Sequence, residues 1–290
     1  MKFSFVFATD FHGCEIHYNR LFKFIKDNAI QYLVFGGDIC PGGFSREQLK
    51  LWSKVQQEFL NKILLKRIED ISKSIPSFMC FIIMGNDDLR VNLHVLENIE
   101  WRRHLKIIHG QSARIEDWQI LGYSFVPPTP FLLKDWEKYE NHIKIIEPIA
   151  VPPEQGFYST KIRGKSTIEE DLNALRKIIT SKKTIFVSHC PPYKTSLDHS
   201  RMDQYKYEGL TMDKHLGSVA IRKFIEDVQP QITLHGHIHE SESISGSFSD
   251  LIDRCICING AFKFDNTDST KIILFELDNK IIFKKILLTG

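Results

Sequence analysis

Short apolar runs rich in β-branched and aromatic residues alternate along the chain with longer segments of helical periodicity. This alternation predicts a layered α/β protein, because a buried strand must be covered by a helix or by a second sheet. The predicted strands are Phe3–Ala8, Tyr32–Phe35, Phe78–Met84, Ile120–Phe125, Thr184–Val187, Gln231–Leu234, Cys255–Ile258, Lys271–Leu277 and Ile281–Leu288.

Three of the intervening segments carry signals for the start of a helix. Ser45 with Gln48, and Ser166 with Glu169, each fit a capping box before an amphipathic pattern. A third amphipathic pattern follows Ser218. We therefore expect helices that begin directly after these positions.

The domain organisation follows from the length of 290 residues and from one irregular segment. Residues 1–290 are predicted to form a single domain. The stretch at about 127–165 is rich in proline and aromatic residues and shows no clean period. Long irregular segments of this kind are often lids or binding loops, so we predict an insertion that selects substrate. The alternative is a surface insertion without a role.

Composition excludes several classes of protein. The formal net charge is +2, with 42% hydrophobic and 26% charged residues, which argues against disorder and against a polyanion binder. No apolar stretch approaches the ~18 residues of a membrane span. The N-terminus shows no signal-peptide cleavage pattern. Six cysteines without a C-x-x-C pair predict free thiols in a reducing cytoplasm.

Five predicted strands are followed by side chains that bind metals. In open α/β sheets, ligand sites assemble beyond the carboxyl ends of the strands, so these endings predict a metal site at one sheet edge. The endings are Asp10-Phe11-His12, Gly36-Gly37-Asp38, Gly85-Asn86-Asp87-Asp88, Ser188-His189-Cys190 and His235-Gly236-His237-Ile238-His239.

The chemistry of this set restricts the metal. Two carboxylates, one amide oxygen and four imidazoles suit Mn, Fe, Zn or Ni better than an all-oxygen Ca or Mg cage. One dication rarely takes seven protein ligands, so we predict two ions. A pair of ions ~3.5–4 Å apart is the usual arrangement for hydrolysing phosphate esters.

The order D-x-H, G-G-D, G-N-x-D, S-H and G-H-x-H resembles the signature of the calcineurin-like metallophosphoesterases, from Phe5 to about Glu276. Within that superfamily the chain resembles predicted phosphoesterases related to the Icc cyclic-nucleotide phosphodiesterase. The segments that carry this narrower resemblance are Ser188–Asp198, His215–Arg222, Gly236–Glu240 and Asn259-Gly260.

The resemblance implies a four-layer αββα sandwich with a dinuclear centre, for which Mn is favoured. It also implies a role for each predicted ligand: Asp10, His12 and His239 at the first metal, Asn86, His189 and His237 at the second, and Asp38 as the bridge. The candidate catalytic residues are Asp38, Asn86 and Asp88. The implied reaction is attack of a metal-bound hydroxide on phosphorus.

One position departs from the commoner family pattern. Many members carry a histidine where this chain has Asp87. An aspartate is normally ionised near pH 7, so it is a poor general acid, and as a substrate-side residue it would repel an anion. We expect slow cleavage of esters with poor leaving groups. Asp88 occupies the terminal acidic position, from which a carboxylate could orient His12.

The other substrate-binding candidates lie at the start of the third helix. His215 and Ser218 precede Val219, where backbone N–H groups and the positive end of the helix dipole could hold a phosphate. The alternative is that Ser218 is only an N-cap. His235 is predicted to be structural, and His109 is a candidate pocket residue.

The resulting hypothesis is a cytoplasmic phosphoesterase that acts on a small phosphorylated molecule, with phosphodiesters slightly favoured over monoesters. The alternative is a non-catalytic module that keeps the fold for protein interaction. A nuclease is disfavoured, because the near-neutral charge lacks the basic footprint of a nucleic-acid binder.

Overall fold

The computed structural model describes residues 2–43, 45–161, 164–263 and 265–289, and only the backbone of Ile99. Residues 162 and 163 of the predicted insertion lie outside the described part.

The strands are β1 (Phe3–Ala8), β2 (Tyr32–Gly36), β3 (Met79–Ile83), β4 (Leu105–Ile107), β5 (Ser112–Ile115), β6 (Trp118–Tyr123), β7 (Thr184–Ser188), β8 (Lys206–Tyr207), β9 (Leu210–Thr211), β10 (Ile232–His235), β11 (Ser249–Ile252), β12 (Cys255–Asn259), β13 (Thr270–Leu277) and β14 (Ile281–Leu288). The α-helices are α1 (Glu15–Asp27), α2 (Leu49–Phe59), α3 (Lys66–Ser74), α4 (Leu93–Leu96), α5 (Ile168–Arg176), α6 (Val219–Val228) and α7 (Ser241–Ser245).

Two six-stranded sheets form the centre of the molecule. The first has the order β14-β13-β1-β2-β3-β4, and the second has the order β11-β12-β10-β7-β6-β5. Strands β1 to β4 run parallel, as do β6, β7, β10 and β12. The carboxyl ends of the parallel strands within each sheet therefore meet at one edge.

Side-chain alternation on the strands builds the layers. Phe5 and Phe7 of β1 belong to an apolar cluster that also contains Val187 of the second sheet, so the two sheets face each other. On the outer faces, Tyr18 of α1 packs against Phe35 of β2, with ring centroids 5.8 Å apart. Phe224 of α6 packs 4.8 Å from Phe186 of β7 in the same way. The predicted four-layer αββα arrangement is confirmed.

Helix α5 begins one residue later than its predicted capping box. Thr167 accepts a hydrogen bond from the Glu170 amide, and the Glu170 side chain accepts from the Thr167 amide. Ser166, the predicted cap, instead donates to Asp171 and accepts from Lys138. The prediction was wrong by one position, because two adjacent hydroxyl residues offer the same local signal.

The capping box predicted at Ser45 is also wrong. Gln48 occupies the N-cap position of α2, which makes no side-chain capping hydrogen bond. A π-helix over Leu60–Leu65 follows α2 directly and connects it to α3. Ser218 does cap α6, since its hydroxyl accepts from the Ile221 amide at 3.1 Å.

The described residues of the segment at 127–165 are irregular, apart from a short 3₁₀ turn over Pro153–Gln155. Its interior contains an ion pair between Lys134 and Glu137, and both side chains are 0% exposed. Thr129 completes the cluster: its hydroxyl and amide donate to Glu137 at 2.6 and 2.8 Å, and its carbonyl accepts from Lys134 at 2.9 Å. The segment is therefore packed around its own polar core, and its action as a lid stays a prediction.

Two further features of the fold concern membrane spans and cysteines. Across the described residues, no helix has both the length and the apolar composition that crossing a membrane requires. All six cysteines are free thiols, and every one except Cys14 is buried.

Candidate metal centre

Several predicted ligands lie in sharp turns that directly follow the strands. Asp10, His12, Asp38 and His237 all adopt the left-handed backbone conformation, with φ of 58°, 43°, 48° and 71°. Such conformations are uncommon outside glycine and concentrate at functional sites. The turns after β1 and β2 support each other, because the Asp10 amide donates to Gly37 O at 3.0 Å and the His12 amide donates to Asp38 O at 2.9 Å.

Two glycines let the ligands approach neighbouring backbone. A Cβ atom on Gly85 would collide with Asp38 Oδ1, and one on Gly236 would collide with Asp10 Oδ2. These glycines are therefore required for the close packing that the sequence predicts at the strand ends.

Asp10, His12 and His239 form the first group of candidate ligands. One ligand atom from each lies within 4.8 Å of the others. His239 Nε2 lies 3.1 Å from Asp10 Oδ1 and 3.3 Å from His12 Nε2. These are the residues that the family resemblance implies for the first metal.

Asp38 lies between this group and the remaining candidates. Its Oδ2 atom is 3.7 Å from His12 Nε2 and 3.3 Å from His189 Nε2. Asp10, Asp38 and His189 also have ligand atoms within 4.8 Å of one another. A carboxylate in this position can contact ions on both sides, as a bridge must.

His189 and Asn86 show why the donor set fits a cation. His189 Nδ1 lies 2.7 Å from Gly36 O, a carbonyl that can only accept, so Nδ1 carries a proton. Its Nε2 atom faces Asn86 Oδ1 at 3.2 Å and Asp38 Oδ2 at 3.3 Å. When Nε2 carries no proton, three acceptor atoms converge there, and either a proton or a metal ion satisfies such an arrangement.

His237 lies beside both groups. Its backbone amide donates to Asp10 Oδ1 at 3.0 Å, and its ring centroid is 5.2 Å from that of His189. Thr9, which the sequence analysis did not single out, donates to Asp10 Oδ2 at 2.6 Å. All seven predicted ligands are thus gathered in one place, although their individual roles stay predictions. The expectation of a single sheet edge was wrong, because three of the strands that precede the ligands (β1, β2 and β3) belong to the first sheet and two (β7 and β10) belong to the second.

The pKa values of the candidate ligands are set by burial and by the charges of neighbouring side chains, which act in opposite directions at several of them. Burial disfavours the imidazolium of His12, but the Asp87 and Asp38 carboxylates outweigh it and raise the pKa of His12 to about 9. For His189, burial is likewise outweighed by Asp38, and its pKa rises to about 10. Burial raises the pKa of Asp38, but the His189 and His12 charges have the larger, opposite effect, so the pKa lies below its usual value. Burial and the charge of His189 lower the pKa of His237 to about 3.

Asp87 and Asp88 lie in different places from those expected. Asp88 is fully buried and accepts from the backbone amides of Gly85, Cys40 and Ile39 at 2.9, 2.8 and 3.3 Å. Burial and the neighbouring Asp38 charge raise the pKa of Asp88 to about 7, against these hydrogen bonds. The carboxylate beside His12 is that of Asp87.

Asp87 contacts two predicted ligands. Its Oδ2 atom lies 3.4 Å from His12 Nδ1, and its Oδ1 atom accepts from Asn86 Nδ2 at 3.1 Å. A carboxylate behind a metal-binding imidazole fixes the ring and its tautomer. Asp87 thus has the orienting position that the sequence analysis gave to Asp88, and the G-N-x-D spacing did not indicate which of the two aspartates takes it.

We expect Asp87→Ala to weaken metal binding by ~10–100-fold, because His12 and Asn86 would lose their common support. Asp87→Asn should lose less, since its amide oxygen can still accept a hydrogen bond. Metal affinity is measured by titration against a chelating indicator, with the exposed Asp70→Ala as the control. Unchanged affinity in Asp87→Ala would contradict the orienting role.

The predicted phosphate site at the start of α6 is already filled by a protein side chain. Glu140 accepts from the Val219 amide, the Ala220 amide and the Ser218 hydroxyl, each at 3.0 Å. The expectation that these groups bind substrate phosphate was therefore wrong. Glu140 is 78 residues from Ser218 and lies in the irregular insertion, so no local pattern signals this contact.

His215, the other residue of that prediction, also has a protein partner. Its Nδ1 atom lies 2.8 Å from Asp198 Oδ1, and Asp198 further accepts from the amides of Lys194, Thr195 and Gly217. His235 is buried and bonded to Ser188 O and Cys190 O at 3.0 Å each, as a structural histidine should be.

The chain is similar to the uncharacterized protein MJ1162 of Methanocaldococcus jannaschii, with 38% identity over 116 residues, 39% of this chain. The matching segment covers 47% of that relative, so the chain spans about half of its length.

Among solved structures, a dimetal phosphatase from Danio rerio has a TM-score of 0.59 at 12% identity, covering 99% of this chain and 98% of that one. The protein TT1561 of Thermus thermophilus has a TM-score of 0.56 at 12% identity, covering 98% and 99%. At this identity the likeness shows the fold alone. The model of the calcineurin-like phosphoesterases matches residues 3–241, which is most of the chain. The protein therefore belongs to the calcineurin-like phosphoesterase family.

Proposed function

We propose that the protein is a metal-dependent phosphoesterase that hydrolyses a small phosphorylated molecule at a dinuclear centre. One observation carries the proposal: the carboxylates, amide and imidazoles that follow five separate strands of the two sheets approach one another, with acceptor atoms facing each other. Such a donor set fits two divalent cations, of which Mn is our first choice and Fe, Zn or Ni the alternatives.

When bound, two such ions supply a water molecule of lowered pKa and neutralise charge on the phosphoryl oxygens. The residues of the chain fix the geometry. Asp38 would contact both ions, and Asn86 and His189 would hold one of them beside it. Asp87 and the carbonyl of Gly36 keep the rings of His12 and His189 in place. Because Asp87 is engaged with His12 and Asn86, we assign it to orientation and not to protonation of a leaving group.

Two features of the sequence restrict the class of substrate beyond what the fold alone indicates. The segments that resemble Icc-related phosphoesterases favour a phosphodiester slightly over a monoester. The formal net charge of +2 makes a long nucleic acid a poor candidate. Six free cysteines fit a reducing compartment, so a cytoplasmic location stays our prediction.

The test is hydrolysis of bis-p-nitrophenyl phosphate and p-nitrophenyl phosphate. Both carry good leaving groups, which suits a centre without a histidine acid. We expect turnover with added Mn, faster for the diester, loss of activity after chelation, and recovery when Mn is restored. Absence of turnover with Mn, Fe, Zn and Ni would contradict the proposal and favour a non-catalytic member of the family.

A further inference from the structure

Asn259 is the last residue of β12 and lies beside the strand that leads to two of the predicted metal ligands. It is 1% exposed, and in the parallel register it pairs with His235, the last residue of β10. The Gly260 amide continues this pairing with a hydrogen bond of 2.9 Å to His235 O. Asn259 is therefore buried next to the point at which the chain turns toward His237 and His239.

The carboxamide of Asn259 is hydrogen-bonded at both of its polar atoms. Nδ2 donates to Leu197 O at 2.9 Å, to Ser241 Oγ at 3.0 Å and to Ile238 O at 3.3 Å. Oδ1 accepts from the Ala261 amide at 2.8 Å. The two carbonyls can only accept and the backbone amide can only donate, so these partners fix which atom of the group points in each direction. A buried network of this kind holds its members rigidly when every polar atom is satisfied.

The contact with Ile238 O acts on the metal centre. Ile238 stands between His237 and His239 in the G-H-x-H turn, so a hydrogen bond to its carbonyl restrains the backbone of both predicted ligands. His237 adopts a left-handed conformation with φ of 71°. A residue other than glycine keeps such a conformation only when the surrounding structure enforces it. The amide of Asn259 supplies part of that restraint.

The contact with Leu197 O reaches a second loop that carries a predicted ligand. Leu197 lies in the loop that begins with His189 after β7. Because Asn259 Nδ2 donates to the carbonyls of both Leu197 and Ile238, it joins the loop after β7 to the turn after β10. The Gly236 amide joins the same two segments through the backbone, since it donates to His189 O at 2.9 Å. The relative position of the ligands that follow β7 and β10 thus depends on these hydrogen bonds.

The backbone of Asn259 is held by a buried lysine. Lys271 is 3% exposed, and its Nζ atom donates to Asn259 O at 3.1 Å and to Ala261 O at 2.9 Å. The same Nζ atom donates to Glu242 in the first turn of α7 at 2.7 Å. The end of β12 and the start of α7, which follows the G-H-x-H turn, are therefore fixed to each other.

We propose that Asn259 is a positioning residue of the metal centre: its carboxamide holds the turn that presents the His237 and His239 imidazoles, without itself contacting an ion or the substrate. The inference rests on the proposed function, because it requires these histidines to bind metal. It gives a physical role to the Asn259-Gly260 segment, which the sequence analysis used only as part of a resemblance.

The experiment is titration of the full chain with Co²⁺ after removal of metal by chelation, followed by the visible absorption of the bound ion. We expect Asn259→Ala to weaken Co²⁺ binding by ~10-fold or more, because the imidazoles lose a support outside the ligand shell. At saturation its absorption bands should differ from those of the wild type, since the ligands are held in a different geometry. Asn259→Ser can still donate one hydrogen bond and should lie between the two.

The matched control is Gln119→Ala at the start of β6. Gln119 is 6% exposed, and its amide joins two backbone segments in the same way: it donates to Ile178 O at 2.8 Å and accepts from the Thr180 amide at 2.8 Å. This variant should lower the melting temperature and leave both the Co²⁺ affinity and the spectrum unchanged. Thermal unfolding of the metal-free proteins checks that each is folded. If Asn259→Ala is not folded, Asn259→Ser compared with Gln119→Ser decides the question.

Wild-type affinity and spectrum in a folded Asn259→Ala protein would overturn the inference, as would equal changes in Gln119→Ala. A wild-type protein that binds no Co²⁺ would overturn both the inference and the proposed function. A wild-type protein that binds Co²⁺ but hydrolyses neither nitrophenyl ester would overturn the proposed activity alone, because the metal titration still distinguishes the Asn259 variants from the control.

Discussion

Asp38→Asn is expected to reduce the metal content from the proposed two ions per chain to less than one, and to slow diester hydrolysis by ~10³-fold or more. The reason is geometric. Asp38 Oδ2 lies 3.7 Å from His12 Nε2 and 3.3 Å from His189 Nε2, so one oxygen serves both candidate metal positions. Asparagine has the same shape but lacks the negative charge that holds two dications close together.

Metal analysis after gel filtration, together with the rate of bis-p-nitrophenyl phosphate hydrolysis, checks this expectation. The matched control is Asp117→Asn, an exposed aspartate paired only with Lys183 in the part of the chain that the structure describes. That variant should keep its ions and its rate. A fully loaded, active Asp38→Asn protein would show that the bridging assignment is incorrect.

Lys134→Met is expected to destabilise the fold by ~3–5 kcal/mol, because it leaves the Glu137 carboxylate buried without its cation. Both side chains are 0% exposed, and Thr129 is the remaining polar contact of Glu137 among the described residues. The double variant Lys134→Met/Glu137→Leu should recover much of this loss, since no unpaired charge would remain. Urea unfolding of the two single variants and the double variant measures the coupling.

The loss of stability caused by Lys134→Met should also depend on pH, and its direction can be predicted. Burial already raises the pKa of Glu137 to about 7, against the lowering effect of Lys134, and removal of Lys134 should raise it further. A carboxyl whose pKa is higher in the folded state binds more protons there, so stability falls as pH rises above its unfolded value of about 4.5. Lys134→Met should therefore lose more stability at pH 8 than at pH 5. Equal losses at both pH values, with additive single variants, would contradict a coupled buried pair.

The metal centre was predictable because its signals are local and repeated. Each ligand follows a buried parallel strand, and parallel strands in one sheet end at the same edge. Asp10 and Asp38, which follow two strands of the first sheet, could be placed together without any knowledge of their contacts. His189 follows a strand of the second sheet, so this rule alone did not place it beside them. The layered α/β class followed from the alternation of runs, and the four-layer αββα order followed from the family resemblance.

The contacts that the sequence did not predict are of two kinds. Some depend on a shift of a single residue, as with Asp87 in place of Asp88 and Thr167 in place of Ser166, where neighbouring side chains carry the same chemistry. Others join segments that are distant in the chain. Glu140 reaches the start of α6 from the irregular insertion, and Trp136 donates to Asp88 O at 2.7 Å from the same segment. Such contacts depend on the path of a loop, which has no periodicity to identify it.

The left-handed backbone conformations of Asp10, His12, Asp38 and His237 affect what a screen for thermostable variants would select. A non-glycine residue held there costs ~1–2 kcal/mol, so substitution of His12 by glycine would relax the chain while removing an imidazole. A library screened only for heat resistance should accordingly enrich inactive variants at these positions. Directed evolution of this protein toward thermostability will need a simultaneous screen for bound metal.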